Sequence, residues 1–306
     1  MALLVEALNR CWSPYFPDEP PVTPATFKRS IRDLQVWCSS CMVAFSGADP
    51  IGVLIGAKRP AGTLVHKIAV HPDHRRQGHG RHLLTSLSSK LAILGPPRMI
   101  AEVPEPLAPA CGLFSAAGYV QEAVLTDYVV QREENPSTRA GFPGFVIPVT
   151  VDDLAANGLL EDAHPQVCWE RSIETLTARK DDIAGLAVAS DERIEAYLLY
   201  DLEIWKSGNL EISHALAPAS ALEAPAVAGA MPDFQISKSP NFQILSLRSF
   251  VDDDGARLRQ LLSRLGMGTF RFPKVHPAEA SNEAMDTLGF RAAGGHFLYA
   301  ARARSE

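Results

Sequence analysis

Residues 68–84, IAVHPDHRRQGHGRHLL, place an apolar run, a basic loop and a leucine-rich segment side by side. The apolar run ends at Val70. Gly78 and Gly80 then open a segment in which Leu83, Leu84, Leu87, Leu91 and Leu94 share one helical face. The pattern predicts a strand, a polar turn and an amphipathic helix. The first backbone N–H groups of a helix have no partner within it, and the helix dipole places about +0.5 charge there. Glycines let a bulky anion approach such a backbone without a Cβ clash. Arg75, Arg76 and Arg81 add fixed positive charge, and five of the nine histidines (His66, His71, His74, His79, His82) lie in or beside the loop. The chain as a whole carries 29 Lys+Arg against 35 Asp+Glu, a net charge of −6, so this basic concentration points to a phosphate or diphosphate site.

Spacing excludes two common phosphate motifs. A P-loop needs Gly-Lys-Ser/Thr, which is absent, and a dinucleotide fingerprint needs a third Gly or Ala at position 83, where Leu83 stands. What remains is Arg75-x-x-Gly78-x-Gly80 after a strand ending in Val-His-Pro. This resembles the acetyl-CoA loop of the GNAT family of N-acetyltransferases, whose motif is R/Q-x-x-G-x-G/A at a strand-to-helix junction. The resemblance runs over residues 1–132. It takes in two opening helices, a hairpin at Gly47-Ala48-Asp49-Pro50, the loop, and a later helix followed by Gly118-Tyr119.

The resemblance implies acetyl-CoA (or another acyl-CoA) as co-substrate, no metal, and a small-molecule or peptide amine as acceptor. The backbone of Ile68, Ala69 and Val70 would pair with the pantetheine arm where two parallel strands splay apart. Arg75 and the N–H groups of Arg76, Gln77, Gly78, His79, Gly80 and Arg81 would hold the pyrophosphate. The Val70 N–H would stabilise the oxyanion as the amine attacks directly. His66 stands at the family's general-base position, and an ordinary histidine pKa suits that work. Glu102 is the second candidate base, expected at a solvated strand end. Phe114 replaces the family's usual Tyr acid beside the cofactor and cannot donate a proton. Cys111, Ser115 and Tyr128 are nearby substitutes.

Length and composition agree with a globular protein. The 306 residues suggest about two domains. Hydrophobic residues at 46% and charged residues at 21% exclude wholesale disorder, and no apolar run approaches the ~18 residues of a membrane span. The opening MALLVEALNRCW lacks a basic region before its apolar stretch, so it does not read as a secretory signal. Five scattered cysteines (Cys11, Cys38, Cys41, Cys111, Cys168) fit free thiols in a reducing, cytoplasmic setting. Cys38 and Cys41 have CxxC spacing, but no second metal-ligand pair accompanies them. Neither a membrane nor a nucleic-acid partner is expected, and the oligomeric state stays open.

Along the chain, residues 133–144 (EENPSTRAGFPG) carry no periodicity. The expected division is residues 1–133 as the acyl-CoA-binding catalytic domain, 134–144 as linker and 145–306 as a degenerate second copy. Each copy is expected to be α/β (α+β), a mixed, mostly antiparallel sheet flanked by helices. In the second half FVIPVTVDD, GLAVAS, IEAYLLYD, LEISHAL and FQILSLRSF read as strands, and ARLRQLLSRLG and SNEAMDTLG as helices. LFSAAGY (113–119) and AMDTLGF (284–290) form a short internal echo. Two strands compete as the equivalent of residues 64–70. FQILSLR leads into Asp252-Asp253-Asp254, which would repel a pyrophosphate, and LEISHAL leads into a loop with no cation. Neither contains R-x-x-G-x-G. The first half lacks the strand that normally opens such a domain, so either the second half covers its sheet edge or the sheet is one strand short. An N-acyltransferase is the main expectation. A non-catalytic acyl-CoA-binding module and a nucleic-acid-binding basic loop are the alternatives.

Overall fold

Strands such as 98–104 alternate buried and part-buried positions, while 49–59 is buried on both faces, and among the described residues eleven strands line up in one mixed sheet. The computed structural model describes residues 1–132, 145–160, 167–203 and 241–304. In the first half, helices α1 (Ala2–Cys11) and α2 (Pro24–Leu34) precede strands β1 (Met42–Ser46), β2 (Asp49–Arg59) and β3 (Gly62–Val70). Then follow α3 (His79–Leu94), β4 (Arg98–Pro104), α4 (Ala108–Ala116) and β5 (Val120–Arg132). The second half has β6 (Phe145–Val149), α5 (Val151–Ala156), α6 (Ile173–Ala178), β7 (Ala184–Ala189), β8 (Ile194–Glu203) and β9 (Asn241–Ser249). It ends with α7 (Ala256–Arg264), β10 (Gly268–Val275), α8 (Asn282–Thr287) and β11 (Arg291–Arg302).

The strand order is β1-β2-β3-β4-β11-β5-β10-β9-β8-β7-β6. Each half therefore surrenders its last strand to the other. β11 lies between β4 and β5, and β5 lies between β11 and β10. The hydrophobic cores are shared accordingly. Tyr299 and Phe297 of β11 pack with the leucines of α3, while Tyr128 of β5 packs with Phe270 and Phe272 of β10. Among the described residues only two strand pairs are parallel, β3 with β4 and β9 with β10.

The halves repeat each other in detail. Gly118 (φ 83°) and Gly289 (φ 85°) end α4 and α8 in the left-handed region, each leading into an exchanged strand. β3 bulges at His66, between the partners of Ile55 and Gly56, and β9 bulges at Leu245, between the partners of Leu199 and Tyr200.

One expectation changes, and one alternative left open is settled. FVIPVTVDD is a strand only to Val149, because Thr150 and Asp153 form a reciprocal capping box that starts α5. FQILSLR, as β9, is the strand that precedes the acidic turn; LEISHAL and the expected linker at 134–144 lie outside the described residues. The second half sits at the far end of the sheet and does not cover β1, which has no strand beyond it among the described residues. Among those residues no helix is long and apolar enough to cross a membrane.

Candidate active site

β3 and β4 are hydrogen-bonded partners only at Thr63↔Met99 and Leu64↔Ile100, and beyond these they part. The gap exposes the backbone of β3, and the antiparallel ladder with β2 decides which groups face it. The His71 N–H donates to Ile51 O at 2.8 Å, which makes Ile51–His71 a hydrogen-bonded pair. Such pairs alternate along a ladder, so Val53–Ala69 is also bonded and Gly52–Val70 and Leu54–Ile68 are not. The N–H and C=O of Ile68 and Val70 therefore point into the gap. Ala69 differs from expectation: its backbone faces β2 and its methyl lies in the core under α1. The Tyr15 hydroxyl donates to Val70 O at 2.6 Å, holding the strand end against the loop after α1.

The basic loop follows directly. Pro72–His74 form one 3-10 turn, and Arg76 (φ 63°) and Gly78 (φ 85°) both adopt left-handed backbone. Gly78 is the N-cap of α3 and supplies no side-chain cap, so the first N–H groups of the helix remain available to a ligand. A Cβ on Gly78 would meet nothing, so its need for glycine is conformational. A Cβ on Gly80 would lie 3.1 Å from Leu113 Cδ2 and 3.7 Å from Val70 Cγ2. Gly80 is therefore needed to seat α3 against β3 and α4, and not only for ligand approach. Arg75, Arg76, Gln77 and Arg81 are exposed, His79 is half-buried, and the Arg75 guanidinium lies 5.4 Å from the Tyr15 ring centroid. None of the three arginines enters an ion pair among the described residues. Their charge is free for an anion.

The expected base candidates sit deeper, in a cluster that the second half completes. Burial holds His66 below its ordinary value, at about 4, with Lys67 and Lys274 adding to the effect and Glu170 opposing it. That corrects the expectation of a base titrating near neutrality. Glu102 is not solvated: its side chain is 4% exposed, accepts the Trp169 N–H at 2.8 Å and pairs with Lys274 Nζ at 3.1 Å. Lys274 pairs equally with Glu170 at 3.1 Å. Burial would push the Lys274 ammonium down, but Glu102 and Glu170 together hold it above its usual range. Glu170 is held below the carboxylate range, Lys274 and His66 outweighing burial, and it is the more exposed carboxylate at 34%.

Arg171 fixes this cluster in place. Its side chain is fully buried and grips Glu279 through two 2.6 Å hydrogen bonds. It also donates to the carbonyls of Pro273 (2.8 Å), Lys274 (3.1 Å) and Leu245 (3.3 Å). These bonds hold the bulge in β10 where Lys274 takes φ 53°. Arg59 bolts the same segment to the first half through Gln35, Ser172 and Thr175, with Trp169 under its guanidinium at 4.0 Å. Glu170, Arg171 and Lys274 escaped sequence reasoning because they lie in the other half of the chain, ninety or more positions from the loop. A charged Lys-Val-His run in a strand was the one available signal.

Phe114 corrects another expectation. It is 3% exposed, stacked on Tyr299 at 5.9 Å and edge-on to Tyr119 at 5.1 Å, so it is a core residue and not a wall of the cleft. Tyr128 bonds Asn282 in the second half, away from the gap. Cys111 is half-buried, and all five cysteines are free thiols. Among the described residues no group of three His, Cys, Asp or Glu could hold a metal ion.

The second half carries the same strand–turn–helix with a different turn. Gly255 (φ 74°) caps α7 six residues past β9, whereas Gly78 lies eight past β3. Asp253 Oδ2 already accepts the Arg257 N–H at 3.1 Å and pairs with the Arg257 guanidinium at 2.7 Å. The helix start is occupied by the protein's own carboxylate, which leaves no anion site of the first kind.

The parallel strands β3 and β4 thus splay apart beside an uncapped basic turn. Residues 1–119 match the model of the acetyltransferase (GNAT) family. Mycothiol acetyltransferase from Thermomonospora curvata is 33% identical over 135 residues, covering 40% of this chain and 43% of that one. The chain thus aligns with less than half of that relative's length. In fold the chain is similar to the tandem GNAT protein of the clavulanic acid biosynthesis pathway (TM-score 0.58, 15% identity), covering 100% of this chain and 96% of that one. It is also similar to a GCN5-related N-acetyltransferase from Sphaerobacter thermophilus (TM-score 0.60, 13% identity, 99% and 94% covered).

Proposed function

We propose that the protein transfers an acetyl or related acyl group from acyl-CoA to an amine in the cleft of the first half. The observation that carries this reading is the junction of two features: the Ile68 and Val70 backbone facing an open gap, and the uncapped turn with three unpaired arginines at its end. The turn N–H groups, with Arg75, Arg76 and Arg81, hold the diphosphate. Ile68 and Val70 register the pantetheine arm as an added strand would. The amine nitrogen forms a bond to the thioester carbon, and the oxyanion is met by the Val70 N–H. The C–S bond then breaks and the proton lost by the nitrogen passes to the departing sulfur, so that CoA leaves as the thiol. With His66 a weak base and Glu102 almost wholly buried, Glu170 of the second half is the accessible carboxylate that meets an arriving ammonium. The second half in this reading completes the acceptor site and binds no CoA.

A non-catalytic acyl-CoA-binding module is the second reading, favoured by Phe114, which offers no hydroxyl to the departing sulfur. Calorimetric titration of acetyl-CoA into the full chain, followed by CoA-thiol release with a panel of primary amines, separates the two. One site per chain with release supports the enzyme. One site without release across the panel supports the module, and no binding removes both.

A further inference from the structure

The second half keeps the splay but has lost the turn. β9 and β10 are partners at three positions, from Asn241↔Thr269 to Gln243↔Arg271, and then separate. A cavity of about 390 Å³ lies in that gap, within the range of small-molecule sites. One side is apolar, formed by Leu258 of α7, by Met285 of α8 and by Leu288 just beyond it, with Phe272 of β10. The other side is polar, formed by Tyr197, Ser246 and Arg248.

The charges do not balance there. Glu279 also lines the cavity, but both its oxygens are held by Arg171. Arg248 enters no ion pair among the described residues. Its guanidinium rests over Phe250 at 4.9 Å, and its Nη1 is closed off from solvent with no hydrogen-bond partner. Arg248 as a whole is half-buried and lines the cavity beside Tyr197, so the guanidinium presents there a fixed positive charge with no carboxylate on it, which suits an arriving carboxylate. The Ser246 hydroxyl donates to Tyr197 Oη at 3.2 Å, which leaves the Tyr197 O–H as a further donor beside it. A diphosphate has nowhere to sit, because Asp253 fills the start of α7.

We propose that this cavity binds a small amphipathic carboxylic acid, its carboxylate on Arg248 and its apolar body against α7 and α8. The site is separate from the acyl-transfer cleft and does not depend on the function proposed for it.

The test is calorimetry on the full chain with hexanoate and phenylacetate, each beside its neutral amide. The expected result is one site per chain for an acid, at least ten-fold weaker binding of the amide, and loss of acid binding in Arg248→Leu with partial retention in Arg248→Lys. The acid-to-amide ratio in the unaltered protein stands even if Arg248→Leu fails to fold, which circular dichroism reports. Four results overturn the proposal: no binding of either acid at millimolar concentration, equal binding of acid and amide, acid binding that survives in folded Arg248→Leu, or acetyl-CoA displacing the acid with two acetyl-CoA sites per chain. Absence of acetyl-CoA binding alongside normal acid binding would count against the acyltransferase reading alone.

Discussion

Gly78 and Gly80 stand two positions apart and are glycine for different reasons. Gly78 holds φ 85° in open space, and Gly80 lets α3 approach Leu113 and Val70. Gly78→Val forces a β-branched residue into left-handed backbone and re-aims the first N–H groups of α3. We expect acetyl-CoA affinity to fall at least ten-fold with the fold retained, measured by titration and circular dichroism. His66 makes a different prediction. Its folded pKa of about 4 lies below the ordinary 6.5, so as pH falls the unfolded chain takes up the proton first. Any stability tied to this difference is intact above pH 6.5 and is lost between 6.5 and 4, by up to about 3 kcal/mol. His66→Gln is expected to flatten that part of the profile. Equal urea-midpoint shifts in both proteins between pH 7.5 and 4.5 would show that His66 is not the source.

Most described strands were visible as apolar or alternating runs, but β10 and β11 were not among them, and neither was the partner of β4. Residues 98–104 and 120–132 look like neighbours in a hairpin-like order, and β11 comes between them from the far end of the chain. Register within a hairpin is set by a short turn, whereas this pairing is set by which apolar face fits a gap already built. The exchange also bears on where the protein divides. Residues 1–133 expressed alone would leave β4 and β5 without β11 and expose the faces that Tyr299 and Phe297 cover. We expect that fragment to be unfolded or aggregated. Co-expression with residues 145–306 should restore a soluble 1:1 complex. A monomeric, cooperatively folding 1–133 fragment would show that the exchanged strand is dispensable.

The halves meet through charge as well as strands. Arg171 is enclosed by Glu279 and three carbonyls, so Arg171→Met strands a buried carboxylate and should destabilise the protein by about 3–5 kcal/mol. Adding Glu279→Leu should recover part of that loss, as denaturant midpoints would reveal. Glu170 reports on function instead. In Glu170→Gln the ion pair to Lys274 weakens but Glu102 still neutralises the ammonium. We expect the KM for an accepted amine to rise at least five-fold, with acetyl-CoA affinity unchanged. An unchanged KM would remove Glu170 from the acceptor site.

The anion turn was legible in the amino-acid order because its parts are contiguous: a strand, three arginines and two glycines that one short loop must bring together. The echo of Gly118-Tyr119 in Gly289-Phe290 was legible for the same reason, since a helix end is local chemistry. Folding alone decided the rest. His66 drew its low pKa from burial, Glu102 drew its partner from Lys274, and Phe114 drew its place from Tyr299, each contributed or enforced by chain more than a hundred residues away. Local sequence sets backbone conformation and available charge. Desolvation and ion pairing depend on what packs alongside, and here the other half of the chain does the packing.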